Sequence, residues 1–236
     1  MWQDNTPLVV RLMKGVFNIK PLKPKYTQTW NVSTVLEYIR SLPPNSELSL
    51  LSLSQKLLAL FALVSAQRTQ ALACIDVSHL NFSDDSCIIT VMDILKTNCP
   101  QKGICNNKIV IPKFNENPKL CVLSTLKAYL SRTEVLREEN KETRLFLSTR
   151  KPHKRVTTAT LARWMKTVLR EAGINPSIYT AHSYRSASTS AAFAHGVTLQ
   201  EILKTANWTN VNTFAKFYHR PVEEVSFGTT VLLSSE

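Results

Sequence analysis

The chain has 236 residues, 44% of them hydrophobic, which suits one large domain with a real core and excludes a disordered chain. Its longest strongly apolar run, LLALFALVSA at 57–66, is too short to cross a bilayer, so no membrane partner is expected. The net charge of +12 is uneven: residues 119–175 carry 13 Lys or Arg against 5 Glu, whereas 176–236 balance at 4 against 4. Such a segment suits a polyanion, although for charge alone a solvated face is the better explanation.

The amino terminus, MWQDNTPLVVRLMKG, has no signal-peptide pattern, and the five cysteines (Cys74, Cys87, Cys99, Cys105, Cys121) form no CxxC pair. An intracellular chain with reduced thiols and no metal site is expected. Residues 1–45 read as a lead-in, because KPLKPKYTQTW is basic and proline-punctuated. Within it WNVSTVLEYIRSL has helical period, with Val32, Val35, Leu36 and Ile39 on one face, and PPNS ends it. SLSQKLLALFALVSA is apolar nearly all round and predicts a central buried helix, with Arg68 at or near its end.

From about residue 86 the pattern becomes β-branched. CIITVMDI and NKIVIPKF flank the turn-rich KTNCPQKGICN and predict a hairpin or three-stranded antiparallel sheet, with Lys96 near its turn. CVLSTLKAYLSRT predicts an amphipathic helix and RLFLST a short strand. Thr157 or Thr158 should cap TTATLARWMKTVLREAG, with Gly173 beyond its end. YTAHSYRSASTSAAFAHG should be a helix stopped at Gly196, followed by two short helices in TLQEILKTANW and TNVNTFAKFYHRP. The fold class expected is α+β, mainly helical, with a small antiparallel sheet.

Five glycines leave no GxGxxG or Walker loop, and no GxSxG, HExxH or paired carboxylates occur. The cationic residues remain. Cutting a phosphodiester without a metal needs donors that clamp the nonbridging oxygens as charge builds, a nucleophile, and an acid for the leaving oxygen. Two arginines, a histidine, a lysine, an indole and a tyrosine suffice. They are present in chain order as Arg68, Lys96, His182, Arg185, Trp208 and Tyr218. Each has a plainer role taken singly: Arg68 could pair with Asp76, His182 could cap a helix, Arg185 could form a surface ion pair, and Trp208 and Tyr218 could pack a core. Lys96 has a rival in Lys102.

The order and spacing resemble the catalytic domain of the tyrosine recombinase (phage integrase) family. HSYR fits its His-x-x-Arg box, ANWTNVNTFAKFYHRP its closing stretch, QRTQAL the first-arginine segment and LKTNCPQKG the lysine hairpin. Together with PKYTQTWNVSTVLEYIRSLPP and TAHSYRSASTSAA these stretches are most similar to recombinases of DIRS-like and Ngaro-like retrotransposons, with cryptons a related alternative. The resemblance implies a catalytic domain over 46–222, a linker or remnant of a core-binding domain over 1–45, and a tail over 223–236. It implies Tyr218 as nucleophile in a 3′-phosphotyrosyl mechanism, Arg68 and Arg185 on the phosphate, Lys96 as acid, His182 on the tyrosine proton, and Trp208 as donor or packing group. It implies no cofactor, double-stranded DNA as partner, a homotetramer on DNA, and a nuclear location. The alternatives are a catalytically inactive DNA-binding remnant and a type IB topoisomerase-like activity. Two departures bear on the site. Ala71 stands where many members carry an acid that buttresses the first arginine, leaving Gln70 or Asp76 for that support, and Tyr184 inside the box is expected to crowd the phosphate.

Overall fold

The computed structural model describes residues 6–20, 26–93, 107–208 and 211–222. Within these there are nine α-helices and one three-stranded sheet. The lead-in holds a helix that the sequence reading treated as linker: α1, Pro7–Ile19, begins with proline at its first turn, where no backbone donor is needed. It buries no residue, and Leu8 and Ile19 are 76% and 87% exposed.

The α2 helix, Val32–Ser41, is capped by Asn31 and packs Val35 and Ile39 into the main core beside Trp30. The α3 helix, Leu50–Ser65, is the axis of that core, capped by Ser49 and buried through Leu53, Leu57, Leu58, Leu60 and Phe61. Its apolar circumference lets it pack against later helices on several sides. Ala66 ends it in the left-handed region at φ 49°, which turns the chain so that Arg68 sits at the start of the short α4, Thr69–Ala73.

A 3₁₀ turn, Val77–His79, leads into β1 (Leu80–Phe82), β2 (Ser86–Val91) and β3 (Asn107–Pro112), an antiparallel sheet in that order. Cys87, Ile89 and Val91 on β2 and Ile109 and Ile111 on β3 face the core, while Ile88 and Val110 face out, the period of two that a half-buried sheet requires. Just past β2, Asp93 forms a two-pronged salt bridge with Arg144, at 2.7 and 3.0 Å, and Arg144 also donates to the Cys74 carbonyl. Lys96, its rival Lys102, and Cys99 and Cys105 lie outside the described residues.

The α5 helix (Val122–Asn140) and α6 helix (Thr158–Glu171, capped by Thr157) pack against α3. RLFLST is not a strand: only single bridges, Asp76 with Arg144 and Leu147 with Arg155, form there. Leu145, Phe146 and Leu147 are all buried, so the segment does not alternate. The last three helices are α7 (Ser183–Ala194), α8 (Leu199–Thr205) and α9 (Val211–Phe217). Gly196 lies past α7 at φ 84°, as its place in the sequence suggested. Beside the main core a second small cluster holds Ala66, Ile202, Ala206, Trp208, Phe214 and Tyr218.

Candidate active site

The second cluster brings three distant stretches together. On α7, His182 is the N-cap residue and Arg185 follows one turn on. Arg185 is only 2% exposed and donates through Nη2 to the Ala206 carbonyl. That carbonyl lies at the C-terminal end of α8, where the helix dipole favours a cation. Gln67, next to Arg68, donates at 2.9 Å to the neighbouring Thr205 carbonyl. The end of α8 thus ties the first-arginine loop to α7.

The chain then leaves α8 through Asn207 at φ 52°. The Asn207 N–H bonds the Lys204 carbonyl at 3.1 Å and the Trp208 N–H bonds the Leu203 carbonyl at 2.8 Å. This paired C-terminal motif, with asparagine in the left-handed position, folds Trp208 back into the cluster. The Arg185 guanidinium lies over the Trp208 ring at 4.4 Å and 5.5 Å from the Tyr218 ring centre. Trp208 and Tyr218 are themselves 4.4 Å apart between ring centres.

Tyr218 follows α9 directly. Its ring is packed in the cluster, as its apolar neighbours suggested, but its hydroxyl sits 2.9 Å from His182 Nε2. A neutral imidazole at that distance can accept the phenolic proton. The Tyr218 carbonyl accepts two hydrogen bonds from α7, from Ser186 Oγ at 2.9 Å and Ser190 Oγ at 2.8 Å.

The electrostatics point to an anion. Burial, then Arg68, push the Arg185 pKa down to about 9, and Tyr218 works the other way. Arg185 therefore remains a cation at neutral pH, held against one neutral carbonyl. Its Nε and the Trp208 Nε1 are buried and have no hydrogen-bond partner among the described residues. A phosphate accepts from both kinds of donor, and a buried arginine gains most from such a partner.

His182, Arg185, Trp208 and Tyr218 therefore meet, with Arg68 close enough for Arg185 to feel its charge. Two expectations are corrected. Arg68 is not paired with Asp76, whose oxygens accept from Ser78 and Thr143, and Gln70 is exposed. Among the described residues Arg68 forms no ion pair, and Ala71 is buried at 3% exposure. Tyr184 does not crowd the site either. Its ring packs edge-on against Trp30 and its hydroxyl donates to the Met165 carbonyl at 3.2 Å, in the main core. Burial there pushes its pKa up. A helix position two residues from His182 is about 200° around the axis, so the opposite face was its natural place.

A model of the phage integrase family matches residues 31–224, most of the chain, including every described residue of this site. The chain belongs to the phage integrase family. Among solved structures, the integrase-family chain resembles the XerH site-specific recombinase in its pre-cleavage complex with difH substrate, at TM-score 0.61 and 16% identity over 91% of this chain and 55% of that one. It resembles XerA recombinase at TM-score 0.57 and 17% identity, over 93% and 66% of the two chains. A lambda integrase dimer bound to a COC′ core site matches at TM-score 0.51 and 15% identity, over 85% and 51%. The chain spans about half the length of XerH and of that integrase. No curated protein sequence matches it. The mainly helical architecture with its small antiparallel sheet is that of the tyrosine recombinase catalytic domain.

Proposed function

We propose that this chain cuts and rejoins duplex DNA through a 3′-phosphotyrosyl intermediate on Tyr218. The observation that carries this is the Tyr218 hydroxyl 2.9 Å from His182 Nε2, beside the buried Arg185 guanidinium. His182 takes the phenolic proton as the phenolate oxygen bonds to phosphorus. The phosphorus–5′-oxygen bond breaks, and the leaving oxygen takes a proton, for which family resemblance offers Lys96. Arg185, Arg68 and Trp208 Nε1 meet the charge that builds on the nonbridging oxygens, so the step calls for no metal. Attack by another strand's 5′-hydroxyl reverses the chemistry and joins new partners.

The grip on DNA is assigned to the basic segment. Arg150, Lys151, Lys154, Arg155, Arg163 and Lys166 are exposed, and none is in an ion pair among the described residues. Arg150, Arg155 and Arg163 line a groove of about 620 Å³ with Thr157, Thr160 and Thr167, a mixture of forks and hydroxyls suited to a phosphate backbone. A homotetramer on DNA, an origin in a DIRS-like or Ngaro-like retrotransposon and a nuclear location are part of this proposal and rest on family resemblance. Affinity for duplex DNA should fall by several decades from about 50 to 200 mM salt if six or more phosphates are contacted. The test is a nicked suicide duplex whose released fragment prevents religation. Wild type should form a covalent adduct and Tyr218→Phe none. A folded, DNA-binding wild type that forms no adduct on its own site would leave an inactive DNA-binding remnant. Adduct formation and supercoil relaxation without assembly on DNA would indicate a topoisomerase.

A further inference from the structure

We infer that Ser186 and Ser190 are positioning residues for the nucleophile: they grip the Tyr218 carbonyl and hold its phenol at the phosphate clamp of its own chain. This rests on the proposed role of Tyr218. The Tyr218 carbonyl stands just past the last residue of α9, where a helix leaves its carbonyls without intrahelical partners. It is satisfied twice, by Ser186 Oγ at 2.9 Å and by Ser190 Oγ at 2.8 Å. Ser190 Oγ also accepts the Arg220 N–H at 3.0 Å, so one side chain holds the backbone on both sides of His219. Both serines are buried, at 3% and 6% exposure, and these bonds are shielded from water.

The spacing gives the arrangement its purpose. His182, Ser186 and Ser190 are each four residues apart, so they lie on one face of α7, with Arg185 alongside. That face therefore carries the group facing the phenol, the cation beside its ring, and two hydroxyls on its backbone. Tyr218 is held at hydroxyl and carbonyl by one element, while its ring also packs on Trp208. The end of the seven-residue α9 is also packed through rings, His219 lying on Phe214 and against Phe193, but the two serines are the side chains that hold the Tyr218 carbonyl.

The serines touch neither the phosphate donors nor the phenol, so their loss should slow the covalent step and spare DNA affinity. The experiment measures single-turnover adduct formation on the suicide duplex, DNA affinity and thermal unfolding for wild type, Ser186→Ala, Ser190→Ala, the double variant and Ser190→Thr. The double variant should lose roughly 10- to 100-fold in rate, as expected for a reacting group displaced by about 1 Å. Each single alanine variant should lose less, Ser190→Thr should keep most of the rate, and DNA affinity should stay within about twofold. If the double variant does not fold, the single variants decide by the same comparison. Wild-type rates in folded alanine variants overturn the inference while leaving the function intact. Equal losses of rate and DNA affinity also overturn it, because they mark general damage. No adduct from wild type overturns the proposed function and this inference with it.

Discussion

Lys56 on α3 and Arg185 on α7 are both cations at 2% exposure, and they stand in opposite situations. Lys56 donates at 2.8 Å to Asn45 Oδ1, and Asn45 in turn reaches Thr125 at 3.4 Å. Burial, then Lys119, push its pKa down to about 8, so it can shed its charge in mild alkali. Arg185 keeps its charge above neutral pH, feels the charge of Arg68, and among the described residues leaves Nε without a partner, as Trp208 leaves Nε1. One corner is a structural plug with a local hydrogen-bond partner. The other holds a charge that the described residues meet with one neutral carbonyl. Neither cation has an anionic partner among the described residues; what separates them is the unsatisfied donors, and the one that leaves an N–H unpaired beside a second unpaired donor marks the candidate site.

Neutralising each cation breaks the comparison most directly. Arg185→Met should lose at least about 100-fold in adduct formation, the scale for removing one transition-state donor. It should melt no lower than wild type, since an apolar group of similar size often replaces a buried charge without loss. Arg185→Lys should not rescue the rate, because an ammonium lacks the planar fork. Lys56→Met should leave adduct formation within about twofold and raise stability at neutral pH.

The pH dependence of that gain follows from linkage. Between about pH 8 and the ordinary lysine value of 10.5 the unfolded chain holds a proton that folded wild type has released. Wild-type stability therefore rises with pH across this window relative to Lys56→Met, by an amount on the order of 3 kcal/mol. Denaturant titrations of both proteins at pH 7 and pH 10 measure it. A difference between them that stays flat with pH would remove Lys56 from the comparison.

Two smaller effects sharpen the boundary of the site. Asn207→Val places a β-branched side chain at φ 52° and should cost about 1–3 kcal/mol, with slower adduct formation because Trp208 follows directly. Tyr184→Phe removes the bond to the Met165 carbonyl and should cost about 1 kcal/mol, with the rate of adduct formation unchanged. A large loss of rate in Tyr184→Phe would put that residue back in the site.

Much of this was legible before the fold. The central helix, the sheet and the capped α6 follow from periodicity, because burial enforces a period of 3.6 or 2 on apolar residues. Arg68, His182, Arg185, Trp208 and Tyr218 were singled out by type, order and family resemblance, and the structure brings the last four together with Arg68 near Arg185. The α1 helix was missed because no apolar stripe of it is buried and its neighbourhood is rich in proline and lysine. Tyr184 was misjudged because nearness in sequence was taken for nearness in space, against the helical period. The roles of Ser186 and Ser190 were hidden by composition: in a run of Ser and Ala they look like small packing residues, and only the tertiary partner, the Tyr218 carbonyl, reveals what their hydroxyls do.

The central claim is that Tyr218, and no other residue, carries the phosphate. It is tested most directly by trapping the chain on a nicked duplex, digesting the protein and identifying the peptide that retains DNA. The expected result is a 3′-phosphate on Tyr218 and a free 5′-hydroxyl on the released strand. DNA attached to any other residue, or a released strand ending in 5′-phosphate, would contradict it.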